Sequence, residues 1–214
     1  MAHNNQTANL SPVAAFWRNP RFRVCLALFD TRRGRKEGHE HEKVLAFYPS
    51  SSSQGVRTAI VGLGQALSSF SSSFSPSSNS PVMKSVEADK NRWAMIEVFG
   101  PSDEDRGIWL MLVVNKAWAG PGAHVEAMHH TLTLLQSQAE LLHGPLYQLV
   151  VKDPSAVLFK QQVQPLLEEL GRRIVQSGSE SSLLPSLSNP LAIQAGLPHL
   201  HTSQKALIGE TITT

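Results

Sequence analysis

The sequence predicts an α+β domain in which a five-stranded, mostly antiparallel sheet carries one helix on one face and two on the other. Five short apolar or β-prone runs are separated by turn sequences, and three longer segments place apolar residues at helical spacing. The elements follow one another in the order β-β-α-β-β-β-α-α. With 214 residues, 41 % of them hydrophobic, the chain can bury the core that such a layered domain needs.

The first two strands are predicted over residues 23–29 and 43–48. The first is a short apolar run, and the second, KVLAFY, is stopped by Pro49 because proline cannot donate a ladder hydrogen bond. The segment between them, residues 31–42, is charged and contains two glycines. We therefore expect a solvated loop there.

A helix is predicted over residues 58–74, where apolar side chains recur every three or four residues. It lies in a stretch, residues 58–83, that contains no charged residue at all, and Pro76 marks its end. We assign the apolar positions to the core of the domain. They are Ile60, Leu63, Leu67, Phe70 and Phe74.

The opposite face of this helix is predicted to be a partner interface. A solvated helix face usually carries lysine and glutamate, whereas these small neutral groups would let another backbone come close. An exposed serine-rich helix without a partner remains the alternative. The predicted interface residues are Thr58, Val61, Gly62, Gln65, Ser68, Ser69 and Ser72.

Three more strands are predicted over residues 82–88, 92–99 and 108–114. The last of these, IWLMLVV, is apolar on both faces, which is typical of a strand with a packed layer on each side. We therefore place it in the middle of the sheet.

Two amphipathic helices are predicted after the strands. The stripe of the first is formed by Val125, Met128, Leu132, Leu135, Ala139 and Leu142. In the second, Asp153 is the predicted N-cap and Pro154 takes the first helical position, where its missing N–H costs nothing. The stripe of the second helix is formed by Phe159, Val163, Leu166, Leu170 and Ile174.

The domain is predicted to occupy residues 21–177. Residues 1–20 are predicted to be disordered, and residues 178–214 lack a period and are predicted to be a flexible tail or a linker. The polar N-terminus has no apolar segment of the secretory type, and no window approaches 18 continuous apolar residues. We expect neither a secretory signal nor a membrane-spanning helix.

The charge and cysteine content argue against a nucleic-acid-binding protein and against a reactive thiol. The net charge is +2, and the short basic run at residues 32–36 does not support nucleic-acid binding. Cys25 is the only cysteine and lies in an apolar run, so we expect a buried structural thiol in an intracellular protein.

The sequence offers no positive evidence for a catalytic residue, a cofactor or a metal. Gly62 and Gly64 have the spacing that opens a dinucleotide fingerprint, but they lie inside the helix pattern instead of at its start. The run at residues 39–42 alternates histidine and glutamate in a loop without converging ligands. Glu126 and His129 form a single Glu-x-x-His pair, whereas carboxylate-bridged metal sites need two.

Four motifs give the chain a family resemblance. They are E-K-x-L-x-F-Y-P at residues 42–49, V-G-L-x-x-A-L-x-x-F at 61–70, F-S-P at 74–76 and W-L-M-L-V-V at 109–114. In this order and spacing they resemble the first longin domain of the Ccz subunit of the Mon–Ccz vacuolar fusion complex. The resemblance covers residues 24–177, one of the three longin domains that members of the family carry.

The resemblance implies a longin-like fold and a role in membrane traffic. A domain of this kind would pair with the first longin domain of the Mon subunit, with its first helix taking part. The pair would promote nucleotide exchange on a late-endosomal or vacuolar Rab GTPase, as a non-enzymatic subunit. The protein would then be cytoplasmic and peripheral on late-endosomal, prevacuolar and vacuolar membranes through the complex. A longin adaptor of another trafficking complex, without exchange activity, remains the alternative.

Overall fold

Five strands form one sheet in the order β2-β1-β5-β4-β3, and every neighbouring pair is antiparallel. The computed structural model describes residues 16–17, 22–72, 83–98, 106–119, 124–153 and 155–177. The strands are β1 (Val24–Asp30), β2 (Val44–Tyr48), β3 (Met83–Glu87), β4 (Asn91–Val98) and β5 (Ile108–Asn115). Each lies within one or two residues of its predicted position, because each is bounded by a clear turn or loop sequence.

Five helices accompany the sheet in the described part of the chain. They are α1 (Gln54–Ser72), α2 (Lys116–Ala119), α3 (Val125–His143), α4 (Leu146–Lys152) and α5 (Val157–Ser177), with a 3-10 turn at Glu40–Lys43 in the loop after β1. The short helices α2 and α4 and the 3-10 turn were not predicted. They span four to seven residues, and such lengths carry no readable helical period.

The core forms two layers, one on each face of the sheet. On one face, α1 packs on a layer that includes Trp93, Met95 and Met111. On the other face, α3, α4 and α5 cover a layer that includes Leu26, Ala94 and Leu112. The predicted fold class, with one long helix on one face and two on the other, is confirmed.

Strand β5 occupies the centre of the sheet, as the sequence predicted. Its side chains alternate between the two layers: Trp109, Met111 and Val113 point toward α1, and their neighbours Leu110 and Leu112 point toward α3 and α5. All seven of its apolar residues are buried, which explains why the strand reads as a continuous apolar run.

Two helix boundaries differ from the prediction. Helix α1 begins at Gln54, four residues early, and the Ser53 hydroxyl accepts the Val56 N–H at 3.4 Å. Helix α5 begins at Val157, so Asp153 is not its N-cap; Pro154 lies outside the described residues. The buried Asp153 carboxylate still accepts the N–H of Phe159 at 3.2 Å, in the first turn. Asp153 therefore satisfies one of the free N–H groups in the first turn of α5, although it is not the N-cap residue.

Phe16 and Trp17 contribute to the core on the α1 face of the sheet. Phe16 is only 4 % exposed; its ring stacks on that of Phe22 with centroids 4.4 Å apart and meets Trp17 edge to face. The prediction of disorder over residues 1–20 is therefore wrong at Phe16 and Trp17. These two aromatic residues do not belong to a helical or strand pattern, so nothing in the sequence indicated that they are part of the core. Residues 1–15, 18–20 and 178–214 lie outside the described residues.

Cys25 lies within β1 and is fully buried in the layer under α1. Burial raises the pKa of its thiol well above the ordinary value, so the neutral form prevails at physiological pH. The expectation of a buried structural thiol is confirmed.

Candidate functional site on the first helix

Helix α1 faces the sheet with a narrow set of small and medium side chains. Ile60 and Val61 are fully buried, and Gly64 lies so close to β5 that an added Cβ would come within 2.5 Å of the Met111 sulfur. Ser68, one turn further on, is 7 % exposed. Glycine at position 64 therefore lets the helix approach its own sheet closely.

The prediction of which α1 face is buried is wrong in four positions. Val61 and Ser68 were predicted to face a partner, and both are buried. Leu63 and Phe70 were predicted to be core residues, and they are 41 % and 67 % exposed. The prediction assumed that the large apolar side chains of α1 face the sheet. The gap between α1 and the sheet is narrow, so the side of the helix with small residues faces the sheet instead.

The remaining predicted interface residues divide between exposed and half-buried positions. Gly62 and Ser69 are exposed, whereas Thr58 and Gln65 are half-buried. Ser72 is the last residue of α1, and its side chain lies outside the described part. Phe74, predicted as a core residue, also lies outside the described residues.

Beyond the first turn of α1, the exposed residues among those whose side chains the structure describes form one continuous surface. We call it the outer α1 surface; it consists of Gly62, Leu63, Ala66, Ser69 and Phe70. These positions recur at intervals of one, three and four residues, so they share one side of the helix. None is charged, and two are large apolar residues in solvent. Such a surface is typical of a protein contact.

Two lysines hold the polar groups beside this surface. The Lys84 ammonium donates to the carbonyl and the hydroxyl of Ser68, at 2.7 and 2.9 Å, and lies 5.0 Å from the centre of the Trp109 ring. Burial lowers its pKa, and the nearby Glu97 carboxylate opposes that shift. On the other side, Lys43 donates to the Gln65 carbonyl at 3.1 Å. Gln65 and Ser68 thus make hydrogen bonds within the domain.

A small cavity opens beside the Lys84–Ser68 contact. Its volume is about 210 Å³, and its lining includes Gln65, Ser69, Lys84 and Trp109. Because this cavity adjoins the outer α1 surface, a partner side chain that packs on Ser69 would also reach it.

The two glycines of α1 are predicted to respond oppositely to alanine. At Gly62 an added Cβ would meet nothing within 4 Å, so Gly62→Ala should raise the free energy of unfolding by about 0.5–1 kcal/mol through helix propensity. At Gly64 the Cβ would strike Met111, so Gly64→Ala should lower it by about 1–3 kcal/mol through overpacking. Urea titration of both variants measures these changes, and a shift of the same sign in both would contradict the placement of α1.

The other motifs considered for chemistry do not form a reactive site in the described residues. Gly62 and Gly64 lie in the middle of α1, and no group of three or more histidine, cysteine, aspartate or glutamate side chains that could hold a metal is found in the described part. His39 and Glu42 form an exposed pair 2.7 Å apart; their hydrogen bond raises the pKa of the histidine and lowers that of the glutamate. No described helix is both long and apolar enough for a bilayer.

Two arginines of the basic run after β1 form contacts within the domain. Arg32 and Arg33 both pair with the buried Asp30 carboxylate, at 2.9 and 3.4 Å. The Arg33 guanidinium also donates to the carbonyls of Val150 and Asp153 at the C-terminal end of α4. Arg33 therefore connects the end of β1 to the helical layer that contains α4.

A family model described as the first longin domain of INTU, CCZ1 and HPS4 matches residues 24–152. The chain belongs to this family. The resemblance predicted from the four motifs is thereby confirmed, and α1 is the first long helix of a longin domain. The matched residues end just before α5, which packs on the same core.

The longin domain is similar to proteins of several organisms. The vacuolar fusion protein CCZ1 homolog A of Arabidopsis thaliana is 30 % identical over 145 residues, a match that covers 67 % of this chain and 26 % of that relative. The vacuolar fusion protein CCZ1 homolog of Oryza sativa subsp. japonica is 31 % identical over 139 residues, covering 62 % and 25 %. The chain thus spans about a quarter of the length of these curated relatives.

Sequence reasoning missed Leu63 and Phe70 as surface residues of the longin domain. The signal that could have found them is the pairing of Gly64 with Ser68 one turn later. Two small residues four positions apart permit a close backbone approach, and this would have placed the contact with the sheet on that side of α1.

Proposed function

We propose that this longin domain is part of a guanine nucleotide exchange factor complex that acts on a late-endosomal or vacuolar Rab GTPase. The observation that carries the proposal is the similarity to curated vacuolar fusion proteins, together with the family match over residues 24–152, which include the outer α1 surface. That surface presents Leu63 and Phe70 to solvent on an uncharged helix face. Vesicle-mediated transport and vacuolar fusion are the proposed cellular roles.

The proposed partner of the outer α1 surface is the first longin domain of a Mon-type subunit. Small residues at Gly62, Ala66 and Ser69 allow close approach, while Leu63 and Phe70 supply the apolar area that an interface core needs. The half-buried Gln65 lies at the margin of this contact. Together the two domains would form the platform that holds the GTPase.

The proposed activity requires no bond chemistry in this chain. An exchange factor accelerates the release of GDP by binding the nucleotide-free GTPase more tightly than the nucleotide-bound form. A tenfold preference corresponds to about 1.4 kcal/mol of differential binding. The chain would act as a non-enzymatic subunit that is cytoplasmic and reaches late-endosomal and vacuolar membranes through its complex.

A binding experiment with the full chain tests this proposal. The immobilised chain is incubated with the Rab in its nucleotide-free or GTP-loaded form, with and without the Mon-type subunit. We expect the Mon-type subunit to be retained, and the nucleotide-free Rab to be recovered at least about tenfold better than the GTP-loaded Rab when that subunit is present.

Two results would contradict the proposal in different ways. Retention of the Mon-type subunit with equal Rab recovery in both nucleotide states would favour a longin adaptor without exchange activity. Negligible recovery of every component would leave the outer α1 surface without the proposed partner.

A further inference from the structure

A second surface of the domain is a cleft at the outer edge of β2. Because β2 is an end strand of the sheet, its side away from β1 is flanked by α1 on one face and α5 on the other. The cleft has a volume of about 480 Å³, and residues 44–47 of β2 form its floor. We call it the β2-edge cleft. Its walls include His41, Gln54, Arg57, Thr58, Lys160 and Gln164.

The side chain of Gln164 occupies a position on this edge that a neighbouring strand would use. Its carbonyl oxygen accepts the N–H of Phe47 at 3.0 Å, and its amide nitrogen donates to the carbonyl of Phe47 at 2.8 Å. Both backbone groups of Phe47 therefore point away from β1 and into the cleft. A primary amide that makes both bonds reproduces the pairing of one peptide group in a β-ladder.

The cleft carries positive charge without a compensating carboxylate in its lining. Arg57 donates to the carbonyls of Ser50 and Ser52, which are neutral acceptors. A carboxylate beside the cleft, that of Glu168, is outside the lining and accepts the Ser50 N–H at 2.8 Å and the Gln164 amide at 3.1 Å. Lys160 also lines the cleft, and no ion pair of this lysine is found among the described residues. Positive side chains on both walls favour an anionic occupant.

We propose that the β2-edge cleft binds an extended, acidic peptide segment of a partner protein. The segment lies along β2, its backbone takes over the hydrogen bonds of Phe47 from Gln164, and a carboxylate side chain meets Arg57 and Lys160. The main-chain hydrogen bonds supply affinity and the charged walls supply selectivity. Other domains that bind a peptide as an added strand divide these roles in the same way. Thr58, predicted from sequence as an interface residue, belongs to this cleft and not to the outer α1 surface.

The proposal is tested with the full chain and a fluorescein-labelled peptide of alternating valine and glutamate, followed by fluorescence anisotropy. We expect this peptide to bind, and a peptide with lysine in place of glutamate to bind at least about tenfold more weakly. Lys160→Glu should weaken binding of the glutamate peptide by a similar factor. Lys152→Glu, at an exposed lysine of α4 outside the lining, is the matched control and should leave binding unchanged.

Gln164→Ala tests the strand pairing separately from the charge. Removing the amide frees the backbone groups of Phe47, so we expect the glutamate peptide to bind a few-fold more tightly. Equal binding of the two peptides, or unchanged binding in Gln164→Ala, would overturn the proposal. So would Lys160-dependent binding to anionic vesicles without binding to the peptide. None of these measurements involves the Mon-type subunit or the Rab, so their outcome is independent of the proposed function.

Discussion

Glutamate at both Leu63 and Phe70 is expected to weaken binding of the proposed Mon-type partner strongly while the domain stays folded. Truncating a central anchor of an interface costs about 2 kcal/mol or more, and two introduced charges add a desolvation cost, so the double variant should bind at least about a hundredfold more weakly. Both side chains are already exposed, 41 % and 67 %, so the substitutions bury no new charge in the free domain. Isothermal titration with the partner measures the loss.

The matched control for this double variant is Leu141→Glu. Leu141 lies on α3, on the opposite side of the sheet, and is 85 % exposed. It makes the same chemical change at a leucine outside the outer α1 surface, and we expect unchanged affinity. Urea titration should give all variants the wild-type free energy of unfolding within about 0.5 kcal/mol. Wild-type affinity in the double variant would show that the outer α1 surface is not part of the interface.

Phe16→Ala is expected to lower the free energy of unfolding by about 2 kcal/mol. Phe16 is 4 % exposed, and complete burial of a phenylalanine side chain contributes about 1.5–3 kcal/mol. Its stacking on Phe22 adds to this contribution. Equilibrium unfolding in urea, followed by tryptophan fluorescence, measures the change.

Phe16→Leu serves as the control for this prediction. Leucine keeps most of the apolar volume but not the stacking, so we expect less than half of the loss seen with alanine. A Phe16→Ala variant as stable as the wild type would show that this residue contributes nothing to the core. The family match begins at residue 24, so a fragment cut to that boundary should show the full loss.

The sheet was predictable because its strands carry unambiguous local signals. Residues 108–114 are apolar on both faces, which placed β5 at the centre, and Pro49 bounded β2. The face of α1 was not predictable by the same means. Ile60 and Leu67 are compatible with both the predicted and the observed buried face of α1. Which face is buried depends on how closely Gly64 approaches Met111, and this is a property of the tertiary structure.

The sequence placed the candidate site on α1, and the structure changes which of its residues are exposed. Of the residues predicted as an interface in the uncharged stretch, Gly62 and Ser69 are exposed on α1. Ser68 was misplaced because its partner, Lys84, comes from β3, and nothing in the local pattern of α1 indicates that contact. The β2-edge cleft was not foreseen, since it depends on α5 returning to the far edge of the sheet.

The position of β5 has a consequence for how the chain acquires its structure during synthesis. The central strand is the last of the five to leave the ribosome, and β1 can pair with it only after the intervening chain has emerged. Until then the hairpin of β1 and β2 lacks its inner neighbour, and Ala27 and Leu28 remain without their partners on β5. Pairing between strands so far apart in sequence is slow. Until it occurs, the unpaired edge of β1 is exposed and can aggregate or bind chaperones. Nascent chains that stop before β5 should therefore lack the closed sheet and be prone to degradation.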